Sequence, residues 1–142
     1  MILTVITAGV FLLLMYMAVW DILKREIQTA PALALLGLAA LTGLLVRERR
    51  TDMLLGFLLW SAVLFILYAI DCRNGPAAHI GGGDIRLMMV LSALAGLKGF
   101  PVMLAAACLV GLICTLFTRK KNLPFAPCLL AGYFVWYLFM VP

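Results

Sequence analysis

Apolar residues run in six stretches, 1–20, 31–46, 53–70, 87–97, 101–117 and 127–141, separated by short charged or glycine-bearing segments. A helix needs about 20 residues, at roughly 1.5 Å each, to cross an apolar core of about 30 Å. The first and third stretches have that length and the fifth nearly so. The second and sixth reach it by borrowing flanking residues. The fourth must start near Asp84 and carry Arg86 in its first turn, snorkelling the guanidinium back to the interface, or else enter only part way. Pro31, Pro101 and Pro127 stand at the starts of their stretches, where a missing N–H costs a helix nothing. Gly37, Gly43, Gly56, Gly96 and Gly111 allow helices to pack closely. The pattern predicts an all-α polytopic membrane protein of about six transmembrane helices, a single domain over residues 1–142.

Composition agrees. Of 142 residues, 66% are hydrophobic and 12% charged, too little polar surface for a soluble domain of this size. The net charge of +5 lies mostly in the connections, where it sets topology; it is not a nucleic-acid signal. Odd-numbered connections carry Lys24, Arg25, Arg73, Arg86, Arg119, Lys120 and Lys121; even ones carry Arg47, Arg49, Arg50 and Lys98. The excess puts the odd connections in the cytoplasm and both termini outside. The first stretch lacks a basic start and reads as a retained span, not a cleaved signal. The cysteines, Cys72, Cys108, Cys114 and Cys128, form no Cys-x-x-Cys pair, and His79 is the sole histidine, which argues against a zinc site. No other cofactor is indicated. Cys108 and Cys114 read as small buried hydrophobes; His79 reads as a solvated loop residue.

The chemistry concentrates in 81–87, Gly-Gly-Gly-Asp-Ile-Arg-Leu. An ionisable residue at the mouth of a membrane span marks a functional site by default, and glycines leave room for another chain to approach. A flexible loop ending in an N-cap aspartate is the plainer alternative. Six acidic residues are present: Asp21, Glu26, Glu48, Asp52, Asp71 and Asp84. Glu48 and Asp52 sit among arginines and read as a solvated loop; Glu26 reads as the partner of a neighbouring cation. Asp21, Asp71 and Asp84 each stand at the boundary of an apolar stretch, and by parity on one side. Two carboxyls brought close do not both ionise easily, which makes an acid and a base from identical residues. Such a pair can activate water and protonate a leaving amine with no metal and no nucleophilic side chain. Ser61 and Ser92 lie in apolar runs without a Gly-x-Ser-x-Gly elbow.

Gly81-Gly82-Gly83-Asp84 resembles the Gly-x-Gly-Asp motif of intramembrane aspartic proteases, and Ile85-Arg86-Leu87 the continuation of that motif in bacterial type IV prepilin peptidases. Residues 21–27, Asp-Ile-Leu-Lys-Arg-Glu-Ile, resemble that family's Asp-x-x-x-Arg-x-Ile element, and Pro124-Phe125-Ala126-Pro127 its late Pro-Phe-Ala-Pro segment. The resemblance spans essentially the whole chain and is closest to the short branch serving tight-adherence pili. It implies a membrane aspartic endopeptidase in the bacterial inner membrane, cutting the basic leader from prepilin-like substrates on the cytoplasmic side, after a glycine and before the pilin's apolar helix. Asp21 and Asp84 would be catalytic, with Gly81, Gly83, Arg25, Arg86 and Pro124 in support. Gln28 and Thr29 replace the family's usual Pro-Asn, Arg86 its usual Lys, and the third connection is long. The first connection has no cysteine pair, so methylation of the new N-terminus, an activity of large members, is unsupported. A small transporter or channel subunit, handling protons or cations through the aspartates, is one rival reading; a non-catalytic assembly subunit is the other.

Topology gives the first prediction. Cysteines introduced at Thr29, Ala77 and Asn122 should label from the cytoplasm, and one at Thr51 from outside. Labels at Thr29 and Ala77 on opposite faces would eliminate a pair built from Asp21 and Asp84.

Overall fold

The computed structural model describes residues 2–73, 81–118 and 124–140, and these contain five α-helices and no strand. They are α1 (Ile2–Lys24), α2 (Thr29–Leu45), α3 (Arg50–Arg73), α4 (Gly82–Thr118) and α5 (Ala126–Met140), with a 3₁₀ turn at Arg47–Arg49 between α2 and α3. Three stretches, Thr4–Lys24, Arg47–Arg73 and Gly82–Phe117, are long and apolar enough to cross a membrane. Their outward side chains, among them Leu12, Phe65, Leu116 and Phe117, are themselves apolar. Helices apolar all round, with backbone bonds closed internally, suit lipid. The chain is an all-α membrane protein.

The fourth helix is not one rod. At Gly96 the backbone takes φ 76° and ψ −174°, which divides α4 into a limb of 82–95 and a limb of 97–118. This conformation is open to glycine and strained for other residues. Neighbouring contacts give the limb directions. Tyr68 of α3 lies against Gly82, and Gly56 against Gly96, so the first limb runs antiparallel to α3. Gly99 faces Trp136, Met103 faces Gly132 and Gly111 faces Cys128, so the second limb runs antiparallel to α5. Asp21 accepts from Ala126 at the start of α5 and acts by its charge on Asp84 at the start of the first limb, so both begin at one end and the chain folds back on itself at Gly96.

A break in a helix leaves backbone donors and acceptors unpaired, which an apolar surrounding does not tolerate. Here α3 satisfies them. The Leu97 N–H donates to Asp52 Oδ1 at 3.3 Å, an N-cap supplied by a different helix. Pro101 has no N–H to bond the Leu97 carbonyl four residues back. The Trp60 Nε1–H donates to that carbonyl instead, at 3.0 Å, while the Trp60 ring packs on Phe100 at 5.4 Å. A Cβ on Gly56 would stand 2.5 Å from the Gly96 carbonyl carbon, so the crossing requires the small residue.

Several expectations change. The turn expected at 98–100 is a single residue, Gly96, and six expected transmembrane helices become five helices, the fourth doubled back. Asp52, expected in a solvated loop, is a half-buried cap. The first limb of α4 is roughly 21 Å long and is the central element: Leu87 and Leu91 are fully buried, and Ile85, Met88, Val90, Ala93, Leu94 and Ala95 are buried with them. Cys108, expected inside, faces outward; Cys114 is half-buried. Asp21 and Asp71, expected in connections, lie within the last turns of α1 and α3. His79 and the Asn74-Gly75-Pro76 turn lie outside the described residues.

Asp52→Ala should cost about 1 kcal/mol, the usual loss of an N-cap. Gly96→Ala should cost more, since it adds about 1–3 kcal/mol of backbone strain and drives a methyl into the Asp52 carboxyl. Thermal unfolding of the detergent-solubilised variants measures both, and wild-type stability in Gly96→Ala would contradict the reversal.

Candidate active site

Asp21 occupies the last turn of α1 and is only 6% exposed. The helix ends just beyond it: the Arg25 N–H donates to the Asp21 carbonyl at 2.9 Å, and Arg25 itself turns left-handed at φ 55°. That position commonly takes glycine or asparagine; here an exposed arginine fills it. The Asp21 side chain turns inward, and its Oδ2 accepts the Ala126 N–H at 3.1 Å. Ala126 is the first residue of α5, so the carboxylate meets the positive end of a helix dipole.

The 124–127 segment shapes that helix start. The Pro124 carbonyl accepts the Cys128 thiol at 3.9 Å, and the Leu129 N–H donates to the Phe125 carbonyl at 3.1 Å, closing the first turn. Pro127 follows Ala126 directly, where its missing N–H costs the helix nothing. Cys128 is buried in this turn, within electrostatic reach of Asp21.

Asp84 sits half-buried in the first turn of α4, and the Asp21 charge acts on its carboxyl. The three glycines before it face three different neighbours. Gly81 lies beside the Asp84 carboxyl, where a Cβ would come 3.2 Å from Oδ2. Gly82 faces the Tyr68 hydroxyl, 3.5 Å from a would-be Cβ. Gly83 carries Ile27, whose Cβ would stand 2.9 Å from one on Gly83. The open side of Gly83 is thus filled by the α1–α2 connection. Arg86 is exposed and donates from Nη1 to the Thr29 hydroxyl at 3.4 Å, tying α4 to the start of α2.

Asp21 and Asp84 are brought together at one end of the helices. Asp71, in the last turn of α3, acts through its charge on Tyr68. Ile27, Tyr68 and Ala126 also belong to this end, and none was given a role of its own from sequence. For Ile27 a signal existed, its fixed place in the Asp-x-x-x-Arg-x-Ile element. For Ala126 the signal was its place in the Pro-Phe-Ala-Pro segment, which does not show that the group it contributes is a backbone N–H.

The model of the type IV leader peptidase family matches residues 8–116. The chain belongs to the type IV leader peptidase family. Searches of curated proteins and of solved structures gave no match. The matched stretch of this leader peptidase family member contains Asp21, Asp84 and the reversal at Gly96, and stops before α5.

The Gly83 contact separates packing from substrate clearance. Gly83→Ala should reduce the amount of folded protein, because its methyl meets Ile27, and Ile27→Ala in the same chain should restore it. Accumulation in membranes, followed by resistance to added protease, reads this out. No recovery in the double variant would mean that the glycine serves something other than Ile27.

Proposed function

We propose that this leader peptidase family member is an aspartic endopeptidase that removes the basic leader from type IV prepilin-like substrates. It acts in the bacterial inner membrane, at its cytoplasmic face, with Asp21 and Asp84 as the acid–base pair. One observation carries the reading: a buried carboxyl and a half-buried carboxyl, from helices distant in sequence, interact at one end of the bundle. Two carboxyls within electrostatic reach of one another ionise unequally, so one can serve as base while the other holds a proton.

In the reaction the base takes a proton from water and the water oxygen bonds to the scissile carbonyl carbon. The acid supplies the proton that the departing amine needs as the C–N bond breaks, so the products are a leader carboxylate and a new N-terminus. Gly81, exposed beside the Asp84 carboxyl, leaves backbone space where an extended peptide can lie. Arg25 ends the Asp21 helix, Arg86 fastens the Asp84 helix to α2, and Pro124 holds the turn that faces Asp21. These are supporting roles. The basic connections would not attract a basic leader, so affinity comes from the substrate's apolar helix packing against the spans.

The transporter reading expects carboxyls deep within spans. Asp21 in a last turn and Asp84 in a first turn favour chemistry at a span mouth instead.

Asparagine keeps the shape of aspartate and cannot exchange the proton. Asp21→Asn and Asp84→Asn should each lower leader removal by at least about 100-fold, within the usual contribution of a general acid or base. Asp71→Asn should retain most of it. The assay is shortening of a co-expressed prepilin, normalised to membrane-inserted enzyme. An inactive Asp71→Asn beside an active Asp21→Asn would mean that a different pair does the work.

A further inference from the structure

We propose that the first residue of α5, beyond the stretch matched by the family model, is part of the catalytic apparatus: the Ala126 N–H is a positioning donor that fixes the Asp21 carboxylate for reaction. This rests on the peptidase reading above and adds to it an element that no acidic residue marks.

A carboxylate withdrawn from water requires donors from the protein. Asp21 is 6% exposed, and a donor reaches it from a residue 105 positions away, in a helix that otherwise packs on α4 and α1. The bond engages Oδ2, so rotation of the carboxylate plane would break it. Ala126 is itself 2% exposed, so bulk water does not compete for its N–H. Pro127 contributes no donor at the next position, which leaves the Ala126 N–H at the head of the helix.

The donor is also held in place. Gly132 of α5 seats directly on the second limb of α4, where a Cβ would stand 2.9 Å from that of Ala107 and would overlap the Met103 carbonyl. Trp136 closes on Gly99, and Cys128 lies near Gly111. The same second limb continues through Gly96 into the first limb, which carries Asp84. One folded-back helix therefore sets the position of Asp84 directly and of Asp21 through α5. A misplacement of about 1 Å at a reacting group can cost about 100-fold in rate, so such a brace has catalytic consequence.

An ordinary N-cap would predict something different. If Asp21 merely stabilised α5, losing the bond would lower stability and leave the turnover of folded enzyme intact. Proline at the first helical position keeps a φ suited to a helix start, removes the N–H and puts Cδ where it pointed, so Asp21 Oδ2 loses its donor and its seat together.

The test uses the full chain in detergent or liposomes with a purified prepilin. Ala126→Pro should lower kcat at least about 10-fold with KM within about twofold of wild type; Ala126→Gly, which keeps the N–H, should recover most of that kcat. Unchanged kcat in folded Ala126→Pro overturns the proposal, as does an equal loss in Ala126→Gly. Should Ala126→Pro fail to accumulate, backbone replacement decides: the α-hydroxy analogue of alanine at position 126, which puts an ester oxygen where the N–H stood, should lower kcat at least about 10-fold with KM within about twofold of wild type, and an unchanged kcat overturns the proposal. Failure of the peptidase reading looks different: there the wild-type chain leaves prepilin uncut, and the positioning role falls with it.

Discussion

The structure depends on breaking a helix inside an apolar phase without leaving polar backbone exposed. Opening α4 at Gly96 frees the Leu97 N–H, and Pro101 leaves the Leu97 carbonyl without its usual donor. One helix, α3, supplies both partners, Asp52 to the N–H and Trp60 to the carbonyl. An apolar surrounding offers these groups no other partner, so the reversal rests on both side chains. Gly96 is required twice over, by its own dihedral angles and by the Asp52 carboxyl, which a Cβ there would overlap.

The reversal returns the second limb of α4 toward the end where the first limb began. Its partner α5, antiparallel to it, consequently starts beside Asp21. Asp21 ends α1, Asp84 begins α4, and Ala126 begins α5, so three helix termini converge where carboxyls can share protons. Small residues make the convergence tight: Gly83 under Ile27, and Gly132 under the Met103 carbonyl. In a bilayer, where lipid is as apolar as leucine, such close packing is a principal source of helix association.

Much of this was legible in the sequence. The lengths and order of apolar runs gave an all-helical membrane protein; the residues themselves narrowed six acids to Asp21, Asp71 and Asp84, and the family resemblance chose Asp21 and Asp84 among those three. The family match agrees with the resemblance read from residues 21–27 and 81–87. What was not legible depends on distant partners. Gly96 lies inside an apolar run, while the charge of Lys98 drew the expected boundary two residues later. Asp52 sits among arginines in sequence, but its function comes from an amide 45 positions on. Cys108 looked internal by hydropathy, which does not separate a lipid-facing position from a buried one. Ala126 contributes only a backbone group, and no side-chain pattern announces that.

The most direct test of the convergence is chemical bridging between positions 21 and 84. With the four native cysteines replaced, D21C and D84C are introduced together and treated in membranes with a short thiol-to-thiol reagent, and the bridge is sought by mass spectrometry. The structure predicts efficient bridging within one chain, and none when D21C is combined with a cysteine at Thr51. Absence of a bridge between positions 21 and 84, with both thiols reactive on their own, would contradict the account.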